Sequence, residues 1–198
     1  MTHDSLKGLW QLARGLFYSV GRPHMATATE TELEALSIDP IMLSSITESV
    51  DSCLQMCGTE AKCVSISTVP SHQIGKVTGM IGVHGEVSGF VTVNMAEQVA
   101  MSAVGGLLQD KCESLTSEVI DGVGEMTNII AGGVKKGLSN SKWGFGQVTV
   151  PSVIIGQNYQ IAYAGGLNFL CATFEHTNED CLMLEDRLLQ VSLSLIQL

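Results

Sequence analysis

The feature that most restricts how this chain can fold is a repeated punctuation. Pro70 is followed fifteen residues later by Gly85, and Pro151 is followed fifteen residues later by Gly166, so the two pairs are offset by 81. Around each pair the same order of patterns can be read. In the first half a helix opens at Asp39-Pro40, with Asp as N-cap and Pro at the first helical position. It runs to about Cys57 on Ile41, Ile46, Val50 and Leu54. Residues 63–69 alternate as a strand, and residues 77–83 and 87–93 flank His84-Gly85-Glu86 as a hairpin. A helix over 95–108 closes the unit. The second half reads as a long helix over 115–138 and a strand over 148–155 with Pro151 inside it. A hairpin of 159–164 and 167–174 about Gly165-Gly166 follows, then a closing helix over 179–193. Short hairpins force antiparallel pairing, whereas parallel strands need long crossovers. The fold class is therefore α+β: a duplicated helix–strand–hairpin–helix unit whose mainly antiparallel sheet is flanked by helices.

Composition narrows the function. Ten Lys and Arg against twenty Asp and Glu give a net charge of −10, and charged residues are only 15% of the 198, against roughly 25% in an ordinary soluble domain. A chain so short of cations is a poor nucleic-acid binder, because phosphate contacts need clustered Lys and Arg. With so few charges, the surface is either made of Ser, Thr, Gly and Gln or covered by another chain. The six cysteines, at 53, 57, 63, 112, 171 and 181, belong to a chain too long to need disulfide staples. Lys7 and Arg14 interrupt any secretory core near the start, and no run reaches the roughly 18 apolar residues of a membrane span. The expected location is the cytoplasm, with reduced thiols.

Residues 1–34 read as an N-terminal amphipathic extension and linker, and 35–198 as the folded domain. Leu6, Leu9, Trp10, Ala13, Leu16 and Phe17 share one helical face. Packing on the domain or a neighbouring subunit, contact of 6–17 with a membrane surface, and an extension ahead of a domain starting near Met25 all remain open readings.

The segment 115–138 carries the chemistry. Val119, Val123, Met126, Ile130 and Val134 form an apolar stripe at helical spacing, and Asp121, Glu125, Asn128 and Gly132 fall opposite within an arc of about 60°. Polar stripes ordinarily face only water. Here Gly122, Gly124, Gly132 and Gly133 interrupt the helix interior, each at about 1 kcal/mol relative to Ala. Gly124 and Gly132 lie on or beside the polar stripe, where a missing side chain lets another backbone approach.

The pattern Asp121-x3-Glu125-x2-Asn128-x22-Pro151 resembles the signature of the CheC, CheX and FliY chemotaxis phosphatases. It spans four positions over 31 residues, and the element order extends the resemblance across roughly 35–195. Glu175-x2-Asn178 repeats only the central pair, without the Asp or the Pro. No Glu-x-x-Asn occurs in the first half, where a shift of 81 puts Pro40, Ser44 and Thr47 opposite Asp121, Glu125 and Asn128. One active helix makes the chain more similar to CheX than to CheC.

The resemblance implies a hydrolase acting on the aspartyl phosphate of a CheY-like response-regulator receiver. Asn128 would position the attacking water and Glu125 would pair with the receiver's Lys. Asp121, Gly132 and Pro151 would support or contact the partner. The receiver would bring its own divalent metal, Mg, so the chain needs no cofactor of its own, and CheX-like protomers are expected to pair through their sheets as a homodimer. The alternative is a non-catalytic interaction and dimerisation module like the flagellar-switch proteins. A zinc reading of Cys53, Cys57 and Cys63 with His72 lacks paired Cys-x2-Cys knuckles, and Trp143-Gly144-Phe145-Gly146 reads as a packed turn.

Overall fold

In the computed structural model, the described residues are 38–70, 73–157, 159–163, 165–177 and 181–198. The segment 6–17, the linker before residue 35, His72 and Asn178 lie outside them. Among the described residues there are three α-helices and seven strands. The first helix, α1 (Pro40–Met56), begins where Asp39 Oδ1 accepts the Ile41 and Met42 amides at 3.0 and 3.3 Å, with Pro40 in the first turn. Strand β1 (Ala61–Ser67), the hairpin β2 (Val77–His84) and β3 (Val87–Met95), and helix α2 (Glu97–Leu108) follow. Then come α3 (Ser117–Leu138), the short strands β4 (Gln147–Val148) and β5 (Ser152–Ile155), β6 (Asn168–His176), a 3-10 turn at Leu184–Arg187 and β7 (Leu188–Gln197).

One open sheet holds all seven strands, in the order β1-β6-β7-β3-β2-β4, with β5 also on β2, and every pairing is antiparallel. Taking β4 and β5 as one interrupted edge, exchange of β1 with β5, β2 with β6 and β3 with β7 reverses the order and reproduces it. The halves are thus related by a pseudo-two-fold between β3 and β7, and each half lends its first strand to the other half's hairpin. That exchange lets the long β3–β7 ladder, Val87↔Gln197 to Met95↔Leu189, join the halves. On one sheet face Val91, Val93, Phe174, Leu189, Val191 and Leu193 are buried beneath α1 and α3.

Three expectations need correction. Where a helix is expected over 179–193, the described residues form the 3-10 turn Leu184–Arg187 and then β7 from Leu188: Leu189, Val191, Leu193 and Leu195 alternate with Gln190, Ser192 and Ser194, a period of two that was legible in the sequence. Residues 159–163 form no strand. Their segment crosses the far face of the sheet instead, where the Tyr159 hydroxyl hydrogen-bonds Thr78 and the Tyr163 ring lies 5.3 Å from that of Phe169. The hairpin partner of β6 is therefore β7. Finally, no single 81-residue offset relates the halves. The N-caps Asp39 and Thr116 are 77 apart, and β6 starts 91 residues after β2, because connections of different length separate equivalent elements.

Candidate functional site

Helix α3 is built to hold one face still. Its N-cap Thr116 accepts the Val119 amide at 3.4 Å, Glu118 sits in the first turn, and Lys135 and Lys136 sit in the last, matching the helix dipole at both ends. Val119, Val123, Met126, Ile130, Val134 and Leu138 are buried against the sheet. Thr127 is seated over Gly79 of β2, where a Cβ would come within 1.8 Å of its Oγ1. Lys135 Nζ donates to the Gly146 carbonyl at 2.5 Å and ties the helix end to the turn that precedes β4.

The glycines divide by purpose. A Cβ on Gly133 would meet Ser49 Oγ at 2.5 Å, and one on Gly137 would meet Ser45 Oγ at 2.5 Å. These two glycines let α1 and α3 pack antiparallel along a seam of small residues, where Cys53 Sγ also donates to the Met126 carbonyl at 3.9 Å. Sequence reasoning missed this seam, although Ser45, Ser49 and Cys53, four residues apart in turn, signal it. Gly122 gives room to Val104 of α2, at 2.5 Å from a Cβ. A Cβ on Gly124 would lie in ordinary contact range of Pro151 and Val153, at 3.7 and 3.8 Å, and Gly124 is buried rather than open to a partner. Only Gly132, of these five, has nothing within 4 Å of a Cβ.

The outward stripe is continuous. Asp121, Glu125, Asn128 and Gly132 are all exposed. The ion pairs among the described residues are Lys76–Glu97, Lys111–Glu113, Lys142–Asp39 and Arg187–Glu175, so neither Asp121 nor Glu125 is spent on an internal partner. Glu175 of the second Glu-x-x-Asn is spent, at 2.9 Å from Arg187.

Pro151 stands beside this stripe at a defect in the sheet edge. Val77↔Ile155 to Met80↔Ser152 keep one register, but Val83 pairs with Val148, so Thr149, Val150 and Pro151 oppose only Ile81 and Gly82. The extra residue makes a β-bulge. Thr149 holds it from one side, its amide donating to the Gly82 carbonyl at 2.8 Å and its hydroxyl accepting the Gly82 amide at 2.9 Å. Pro151, which has no amide to offer a ladder, suits an edge strand and packs its ring on Gly124.

The cysteines of the zinc reading do not converge: Cys53 and Cys57 are core residues and Cys63 is exposed on β1. Among the described residues no group of three or more His, Cys, Asp or Glu is placed to hold a metal ion. No helix among them is long and apolar enough to cross a membrane. Trp143 and Phe145 are buried in the core, with the indole Nε1 donating to Asp39 Oδ2 at 2.7 Å.

The described residues thus form an open antiparallel sheet under a layer of paired helices, with an outward Glu-x-x-Asn on α3. The family model for the chemotaxis phosphatase CheX matches residues 77–175, half of the chain, and the chain belongs to that family. Solved structures agree in fold. A CheC-like superfamily protein from Shewanella sp. PV-4 superposes with a TM-score of 0.68 at 23% identity, covering 80% of this chain and 99% of its own. The chemotaxis protein CheX from Vibrio vulnificus gives 0.67 at 22%, covering 78% and 99%. CheX from Borrelia burgdorferi, solved in complex with CheY, BeF3 and Mg, gives 0.60 at 20%, covering 79% and 96%. A search of curated proteins finds no match to the chain.

Proposed function

We propose that the protein is a phosphatase for the aspartyl phosphate of a CheY-like receiver domain, working through the outward face of α3. The observation that carries this reading is the unspent stripe: Glu125 and Asn128 exposed one turn apart, with Gly132 open one turn further. An acyl phosphate needs little covalent help. A water oxygen attacks phosphorus in line, the bond from phosphorus to the aspartyl oxygen breaks, the carboxylate leaves with the electron pair, and both protons of the water end on inorganic phosphate.

Such a reaction gains most from positioning. The Asn128 carboxamide offers an acceptor to the water and donors to the phosphoryl oxygens. Glu125 pairs with the receiver's Lys and sets the register of docking, Asp121 supports that contact a turn earlier, and Gly132 admits the partner's backbone. Pro151 braces α3 at Gly124. The divalent metal, Mg, comes with the receiver, and the reaction takes place in the cytoplasm where receivers are phosphorylated. A homodimer through the sheets is part of the same proposal. It is supported by β1, which pairs only with β6 and leaves its other edge without a ladder among the described residues.

The test is the timed loss of label from a phosphorylated CheY receiver of the same organism. Asn128→Ala should lose at least about a hundredfold in rate while binding of the beryllofluoride-loaded receiver stays within a few-fold. Wild-type rate in Asn128→Ala would sink the mechanism, and no acceleration by the wild type would favour a non-catalytic docking module.

A further inference from the structure

The most exposed large apolar side chain next to the α3 face is Val150, at 82%. Its position is not that of a loose loop residue. It is the middle residue of the bulge, pinned behind by Thr149 on Gly82 and ahead by Pro151 on Gly124. Bulges occur beside functional sites because the extra residue re-aims a side chain out of the pleat. The sheet's other edge makes the contrast. Strand β1 also slips register, between Cys63 and Ser65, yet Val64 there stays partly buried.

Resting on the phosphatase reading above, we infer that Val150 is a specificity-determining contact for the receiver, gripping an apolar spot beside its phosphorylation site while Glu125 and Asn128 handle the polar chemistry. Continuity of surface names the occupant. Val150 is one residue from Pro151, the Pro151 ring lies 3.7 Å from where a Cβ on Gly124 would stand, and Gly124 is one residue from Glu125. With Cα steps of about 3.8 Å, Val150 and Glu125 both fall inside the footprint of one docked domain, which buries about 800 Å² a side and so a disc of roughly 16 Å radius. A receiver laid on Glu125 and Asn128 therefore covers the bulge as well. Ile155, 51% exposed further along β5, continues the apolar edge. An apolar contact beside a polar reacting group is the arrangement expected of an interface that recognises its partner apart from the chemistry. It separates affinity from turnover, because Val150 touches no reacting atom.

The experiment compares Val150→Ser and Val150→Leu with wild type, using the phosphorylated CheY receiver of the same organism for rates and the beryllofluoride-loaded receiver for Kd. Val150→Ser should raise KM and Kd about five- to tenfold with kcat within twofold, and Val150→Leu should restore both. Melting temperatures should not move, since the side chain is exposed. KM and Kd within twofold of wild type in Val150→Ser would overturn the assignment. A wild type that binds the loaded receiver without hydrolysing phosphate, with Val150→Ser binding it several-fold more weakly, would remove the phosphatase reading and support the Val150 contact. A wild type that binds no receiver would remove both.

Discussion

Helices α1 and α3 are the same element used twice, and only one of them presents the phosphatase pattern. Aligned on their N-caps, the seven buried residues Met42, Ser45, Ile46, Ser49, Val50, Cys53 and Leu54 fall on Val119, Gly122, Val123, Met126, Thr127, Ile130 and Ala131, all buried too. The inward faces are therefore interchangeable in kind. The outward faces are not: Ser44, Glu48, Asp51 and Gln55 stand where α3 has Asp121, Glu125, Asn128 and Gly132. The glutamate is kept, the carboxamide becomes a carboxylate, and the open glycine becomes a long side chain. An ionised Asp offers acceptors only, next to a phosphoryl group already rich in negative charge. Burial, and then the charge of Glu48, raise the Asp51 carboxyl pKa above its ordinary value. The same period of burial serves both helices, with Ser45, Ser49, Gly122 and Thr127 among the buried residues, whereas the outward residues differ in charge and size.

Making α3 more like α1 should have the largest effect. Asn128→Asp keeps shape and removes the donors, so stimulated dephosphorylation should fall at least about a hundredfold with an unchanged melt. A rate above a tenth of wild type would mean that the difference between the helices lies elsewhere. The adjacent glycines sharpen the inward comparison. Gly133→Ala drives a methyl into Ser49, whose hydroxyl is held on the Ser45 carbonyl at 2.5 Å. It should cost about 1–3 kcal/mol in chemical denaturation. Gly132→Ala, one residue earlier and open to solvent, should instead stabilise by about 0.5–1 kcal/mol. Equal effects of one sign would refute the division of the glycines.

A smaller test concerns the strand ends. His176 closes β6, and 91 residues earlier the equivalent place is Gly85. The imidazole is 1% exposed, and burial lowers its pKa below the ordinary value near 6.5. The unfolded chain then takes the proton first. Stability is full above about pH 6.5 and declines below it, by at most ~1.4 kcal/mol per pH unit, until the folded pKa is reached. Denaturation curves at pH 7.5 and 5.5 should show that loss in wild type and a smaller one in His176→Phe. An identical acid loss in both would clear His176 of the role.

How much was legible follows from what each signal depends on. The α3 stripe was readable because helical period alone sets which residues share a face, and the Asp39-Pro40 start was readable because a cap is local chemistry. The antiparallel class followed from the His84-Gly85-Glu86 turn for the same reason. The closing strand was equally open to local reading, because Leu189 to Leu195 alternate with a period of two. The pairing of β6 with β1 and β7 was beyond local reading. It depends on which distant strand offers a free edge.

By itself, the sequence determined which face of α3 is polar and which residues stand on it, because these depend on spacing along one chain. Tertiary structure decided the rest. It showed that Gly133 and Gly137 serve the α1 seam while Gly132 does not, that the halves exchange their first strands, and that one extra residue between β4 and β5, opposite β2, leaves Val150 exposed. Each of those is a meeting of segments far apart in the chain, and the space between them is set by packing rather than by any local preference.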